Sequence, residues 1–391
     1  MNNFLLEAQS VFQFTQNLRR DLHQHPELGF QELRTAGVIT RELNNLGLEV
    51  TTGVGKTGVV AILDSTHPGP NLLLRFDMDA LPITEATGAE YASINLGVMH
   101  ACGHDGHVAV GLTVARLLNE HRAEWAGTVK LVFQPGEEGL GGAEAMIADG
   151  VLANPRPDLT LALHLWNEQP VGWLGITPGP VMAASEIFAI HITGKGGHGA
   201  APHTTIDPVL AAAQVVNALQ SIVARNVAPL QSAVISVTMI HSGDAFNIIP
   251  QTVEMQGTIR TFDPQVRSRV LERFNQVVNN VTQAFECTAE IELRSITPAV
   301  VNDPEITRRV RQVAETLQIG SDMPLTFSTM GSEDMAFMMQ GIPSCYFFVG
   351  SSNPGKGLNY SHHHPKFDID EASLPRAVAL MTGAAIDFLK E

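Results

Sequence analysis

Four short stretches constrain the fold of this chain most. Residues 57–64 (TGVVAILD), 71–78 (NLLLRFDM), 127–134 (GTVKLVFQ) and 159–166 (LTLALHLW) are apolar in continuous runs, not at every second position. A strand with one wet face alternates, whereas a continuous apolar run this short fits a strand covered on both sides. Helix-like patterns at 3–22, 31–46 and 107–122 lie around these runs. Strands alternating with helices predict an α/β domain, a central mixed sheet flanked by helices. Functional side chains in such sheets collect on loops just past the strand ends.

Between about 180 and 296 the rhythm changes. The patterns read as strand 186–194, helix 207–226, strands 233–243 and 252–262, helix 264–287 and strand 288–296. The order β-α-β-β-α-β is the split βαβ, or ferredoxin-like, arrangement. A strand at 344–349 and a helix at 372–390 then return to α/β character. At 391 residues the chain exceeds what one hydrophobic core holds. A division is therefore expected into a larger domain in two parts, the first at 1–179 and the second at 297–391, with an inserted domain at 180–296.

The formal charge of −16 repels phosphate backbones and anionic lipid, which argues against nucleic-acid and membrane-surface roles. No apolar run is read as reaching the roughly 18 residues of a membrane span. The opening MNNFLLEAQSVFQF lacks a basic start and a small-residue cleavage site, so it reads as an amphipathic helix, not a signal peptide. Three sparse cysteines, Cys102, Cys287 and Cys345, do not form a disulfide framework, and a reducing, cytoplasmic setting is expected. Cys287 and Cys345 sit in apolar patterns and read as core.

Chemistry-bearing residues gather in clusters at pattern ends. HACGHDGH (100–107) holds three histidines and a cysteine in eight positions, more than a helix cap at Asp105 explains. Cys and His are ligands for zinc and similar ions. Positions i and i+2 share no helix face, so Cys102 and His104 can converge only from a loop. FQPGEEG (133–139) follows a strand and carries adjacent carboxylates. One of Glu137 and Glu138 can ligate while the other serves as general base. His164 ends a strand and His362, His363 and His364 lie in one loop. In RFDMDALP (75–82), Asp77 and Asp79 are open to reading as ligands, as partners of histidine N–H groups, or as a helix cap.

These segments occur in one order with RRDLHQHPELGFQE (19–32), GKGGHGAAPH (194–203), GTIRTF (257–262) and GSEDMAFM (331–338). Together they resemble the amidohydrolase branch of the M20 metallopeptidase family, whose members include aminoacylase-like enzymes, hippurate hydrolases and plant auxin-conjugate hydrolases. The resemblance runs from about residue 19 to 371. It implies Cys102, His104, Glu138, His164 and His363 as ligands of two divalent ions (Zn, Mn, Co or Ni). It implies Glu137 as general base and Asp79 as a support of the metal site. His363 is preferred in its triplet because the family ligand stands two residues before a proline.

The resemblance further implies that His198 binds the developing oxyanion, with His203 a weaker candidate, and that Asn247 and Arg260 contact the substrate. The family delivers that histidine from a partner subunit. A homodimer through the 180–296 lid and dimerisation domain is therefore expected. The expected substrates are N-acyl amino acids. The alternatives are a dipeptidase or carboxypeptidase with the same metals, or a metal-binding scaffold without catalysis. His67, His121 and His191 read as structural or surface residues, and His23 and His25 as packing residues or partners that support the metal ligands.

Overall fold

The computed structural model describes residues 4–390. Its backbone divides into two compact units. The first takes the chain up to Val181, then Val301–Phe327, then the chain from Asp334 onward; the second takes Met182–Val300 and Ser328–Glu333. The last of these stretches lies within the segment that the sequence reading assigned to the second part of the larger domain.

In the first unit, seven strands among the described residues form one mixed sheet. Their spatial order is Glu49–Val54, Gly58–Asp64, Thr128–Gln134, Asn71–Asp77, Leu159–Pro170, Ser344–Ser352 and Leu174–Gly175. The four strands from Thr128–Gln134 to Ser344–Ser352 are parallel, and the rest pair antiparallel. Leu72, Leu73, Leu74, Leu131, Leu161, Leu163 and Phe347 are buried, as continuous apolar runs require. Register pairs Asp77 with Gln134 and Arg75 with Ala162. Three neighbouring central strands thus bring Asp77, Gln134 and the His164 region toward one end of the sheet, at the C-terminal ends of its parallel strands.

Two sequence expectations need correction here. The helix expected over 3–22 begins at Asn3, outside the described residues. It is broken at Val11 into Phe4–Ser10 and Phe12–Gln24. The stretch Glu371–Leu389, overlapping the expected last helix, has 19 residues at mean hydropathy 1.2, so one apolar run does reach the length of a membrane span. Its window is 78% buried inside the protein, and the helix Leu374–Leu389 contributes Leu380, Met381, Ala384 and Ala385 to the core, which accounts for its apolarity.

The second unit is a four-stranded antiparallel sheet in the order Ala233–His241, Thr252–Thr261, Ala184–Thr193, Thr288–Thr297. The helices Pro208–Asn226 and Pro264–Ala284 cover one face. They bury Ala211, Val215, Leu219, Val270, Phe274 and Val278 against Phe188, Ile190, Ile192 and Met255. Both helices start with an aspartate cap before proline. Asp207 accepts from Val209 and Leu210 N–H, and Asp263 from Gln265 and Val266 N–H. A short ladder, Gly197–His198 with Ile248–Ile249, stands beside the sheet.

Candidate metal centre

The helix His104–Glu120 starts at this end of the sheet, and Gly103 caps it at φ 89°, in the left-handed region that favours glycine. That turn sets Cys102 and His104 at the helix entrance. Gly106 lets the helix approach the neighbouring strand, since a Cβ there would lie 2.5 Å from Leu165 Cδ1.

The side chains then converge. Cys102 Sγ lies 3.5 Å from His164 Nε2. His363 Nε2 lies 3.3 Å from Glu138 Oε1, and His104 Nε2 lies 4.0 Å from the same oxygen. Cys102, His104 and His164 form one close set of potential ligand atoms; Cys102, Glu138 and His363 form another; His104, Glu137 and Glu138 form a third. Thus the five residues expected as ligands and the expected base lie in one cluster.

Hydrogen bonds decide which ring nitrogen faces inward. His104 Nδ1 donates to the Asp79 backbone carbonyl at 3.0 Å and to Asp79 Oδ1 at 3.1 Å, which leaves the Nε2 lone pair for the centre. His164 Nδ1 donates to the Leu165 carbonyl at 2.8 Å and likewise turns Nε2 inward. His107 is spent on both sides. Its Nε2 accepts from Leu165 N–H at 2.9 Å, so Nδ1 carries the proton that meets Asp77 Oδ1 at 2.5 Å. Asp77 also accepts from the buried Arg75 at 2.5 Å. Asp77 and His107 therefore brace the helix entrance against the sheet.

The backbone sends the three histidines of the triplet in different directions. His363 has φ 65°, and its N–H donates to the Ala101 carbonyl at 2.8 Å, which ties its loop to the Cys102 segment. His362 turns inward, donating to the Leu165 carbonyl at 3.1 Å, and its ring packs on Trp166. His364 stacks on Tyr360.

The electrostatics call for a cation. Burial works against a charged His104, yet Asp77, Asp79 and Glu138 push it up to about 10. Burial, with Glu138, Glu137 and Asp77, pushes the Cys102 thiol well above its ordinary value. Burial, with His107 and His362 beside it, keeps His164 well below its ordinary value and hence neutral. His104 Nε2 and Glu138 Oε1 are buried with no hydrogen-bond partner among the described residues. An imidazole nitrogen without such a partner and a carboxylate oxygen facing imidazoles, beside a thiol, fit a divalent transition ion that would take the place of the His104 proton.

The remaining expected site residues belong to the second unit. His198 is exposed on the short ladder, paired with Ile248, and its Nδ1 accepts from Ala200 N–H at 3.0 Å. Asn247 joins it, because Gly199 N–H donates to the Asn247 carbonyl at 2.8 Å. Arg260 lies apart, on the strand Thr252–Thr261 opposite Ser185; its Nη1 is buried without a partner among the described residues, and burial lowers its pKa. His203 sits in an exposed turn. Arg75 and Glu32, both fully buried around the centre, were not anticipated. Glu32 falls within a quoted motif, which was its one visible signal.

Comparison with known proteins agrees with this architecture. Residues 73–387 match peptidase family M20/M25/M40, and the chain belongs to that family. It is 41% identical to thermostable carboxypeptidase 1 of Saccharolobus solfataricus, over 90% of this chain and 90% of that protein. It is 42% identical to an N-acetyl-L-cysteine deacetylase of Bacillus subtilis, over 92% of this chain and 84% of that protein. The crystal structure of the Bacillus subtilis YXEP protein, described as a dinuclear metal-binding peptidase of the M20 family, is 34% identical with a TM-score of 0.85, covering 98% of this chain and 99% of that one.

Proposed function

We propose that this protein is a metal-dependent amidohydrolase that cleaves N-acyl amino acids into a carboxylic acid and a free amino acid. The observation that carries the reading is the convergence of Cys102, His104, Glu138, His164 and His363 in overlapping close sets of potential ligand atoms, with the second carboxylate Glu137 in one of them. Support also comes from the family and from the acetyl-cysteine substrate in the name of one relative.

In this reading Cys102, His104, Glu138, His164 and His363 would hold two divalent ions. Zn, Mn, Co and Ni all suit this donor set. The bound ions supply Lewis acidity, lowering the pKa of water and polarising the amide carbonyl. Glu137 takes the proton from the attacking water and passes it to the leaving nitrogen as the C–N bond breaks. Arg260 and Asn247 hold the amino-acid end; an orphaned guanidinium N–H suits a carboxylate. His198 donates a hydrogen bond to the oxyanion.

The same reading makes the protein a homodimer through the 180–296 domain, with His198 completing the site of the partner copy. The edge strand Ala233–His241 supports this, because its outer side pairs with no described strand and Met239 and Ile240 are exposed. A reducing, cytoplasmic setting suits three free cysteines, one of them a proposed ligand. The second reading, a carboxypeptidase, is favoured by the 41% identical relative of that name.

A substrate panel separates the two. N-acetyl and N-benzoyl amino acids are assayed beside free dipeptides, each with Zn, Mn, Co and Ni. Preference for acylated amino acids is expected, and preference for free dipeptides would replace the reading. Glu137→Gln is expected to keep its metal and to lose roughly 10²–10⁴ in kcat. Full turnover in that variant would remove Glu137 as the base.

A further inference from the structure

The loop that carries the proposed base is held from both sides by carboxylates remote in sequence. Gly136 N–H donates to Glu32 Oε1 at 3.0 Å, and Glu138 N–H donates to Asp79 Oδ2 at 3.0 Å. Glu137 is the residue between them, and its own carbonyl accepts from Gly139 N–H at 2.5 Å. We propose that Glu32 is a positioning residue for Glu137, forming with Asp79 a two-point clamp on its backbone. This rests on the reading of Glu137 as general base.

The segment around Glu32 is shaped for that contact. Phe30, a bulky aromatic residue, is held at φ 62°, a region such side chains rarely occupy. An outlier of this kind points toward function when the surroundings enforce it. Here they do. The Phe30 ring seats Gly136, where an added Cβ would lie 3.1 Å from Phe30 Cζ. The ammonium of Lys56, itself at φ 79°, lies 3.7 Å from the Phe30 ring centroid. Gly29 touches the far end of the same loop, where an added Cβ would lie 2.5 Å from Leu140 Cδ1 and 3.0 Å from Gly136 Cα.

Glu32 is completely buried, and its second oxygen accepts from Thr57 Oγ1 at 2.5 Å. A buried carboxylate is costly unless its oxygens are engaged. This one uses an oxygen on the backbone one residue before the proposed base. The result is a fixed approach for the Glu137 carboxylate, and a misplacement of about 1 Å in such a group costs about 10²-fold in rate.

The test compares Glu32→Ala, Glu32→Gln and Thr57→Val in the metal-loaded enzyme. Glu32→Ala is expected to lower kcat about 10²-fold with KM within about twofold. Metal content should hold, because Asp79 still secures Glu138. Glu32→Gln keeps an acceptor oxygen for Gly136 and should return kcat to within about fivefold of the parent. Thr57→Val loosens the carboxylate without touching the loop and should give an intermediate loss. Amide exchange at Gly136 should accelerate in Glu32→Ala while Glu138 stays protected.

Wild-type kcat in Glu32→Ala overturns the proposal, as does a Gln variant no better than Ala, or unchanged exchange at Gly136. If Glu32→Ala does not fold, Thr57→Val decides, and unchanged kcat and Gly136 exchange there are equally fatal. Should the parent enzyme turn over neither acylated amino acids nor dipeptides, the amidohydrolase reading fails, while the exchange measurement still decides the clamp.

Discussion

Asp79 offers the sharpest test of how the centre is built, because an isosteric change should do more damage than a deletion, and for a different reason. One carboxylate oxygen accepts from His104 Nδ1 and the other from Glu138 N–H. Deletion in Asp79→Ala leaves His104 Nδ1–H on the residue 79 carbonyl, so the ring keeps its tautomer. Glu138 N–H loses its acceptor in a part-buried position, a stability loss of about 1–3 kcal/mol. Metal affinity should fall toward the lower end of the 10–100-fold range typical of such supports, about 1.4 kcal/mol. Asp79→Asn fills the same space but offers one acceptor and one donor to two donors. If its oxygen serves Glu138, its NH₂ faces His104 Nδ1 and favours the tautomer with Nε2 protonated, the wrong one for a ligand. We expect Asn to bind metal no better than Ala, with a loss approaching about 100-fold. The assay is titration of the stripped protein against a chromophoric chelator, with thermal unfolding in parallel. Parental affinity and turnover in Asp79→Asn would refute the reasoning, since shape alone would then suffice.

Two further outcomes follow from the charges and the units. In the empty centre His104, pushed up to about 10 by its carboxylates, and the raised Cys102 thiol both hold protons at pH 7. Loading must expel them, so affinity should climb with pH by up to about 100-fold per unit for two protons, and a flat affinity between pH 6 and 9 would contradict this. The proposed sharing of sites between two copies predicts that His198→Ala and Glu137→Gln chains, each expected to be nearly inactive, regain about half the parental activity per mixed dimer, because one site then carries both defects and the other neither. Proven heterodimers that stay inactive would return His198 to its own chain.

The sequence made some of this structure visible and hid the rest for physical reasons. Continuous apolar runs announced the buried parallel strands, and helical patterns at 207–226 and 264–287 announced the small unit's helices. The edge strand Glu49–Val54 escaped notice because most of its positions are exposed and polar, leaving no apolar pattern to read. The helix Pro304–Leu317 was missed although Asp303 caps it in the same way as the other two. Spacing grouped Cys102 with His104 and Glu137 with Glu138 because those pairs are local.

What spacing could not give is which atoms are free. His107 sits in the same motif as His104, yet only the strand register that sets Asp77 and Leu165 N–H against it shows both nitrogens occupied. His362 and His363 are neighbours of one residue type. The left-handed turn at His363 and the Ala101 carbonyl beneath it send one ring toward Glu138 and the other into the aromatic core. Glu32 acts on a peptide 104 residues away, and no local pattern records that contact. A motif names the residues able to bind a metal; at His107 and His362 the tertiary hydrogen bonds that occupy their ring nitrogens set them apart from His104 and His363.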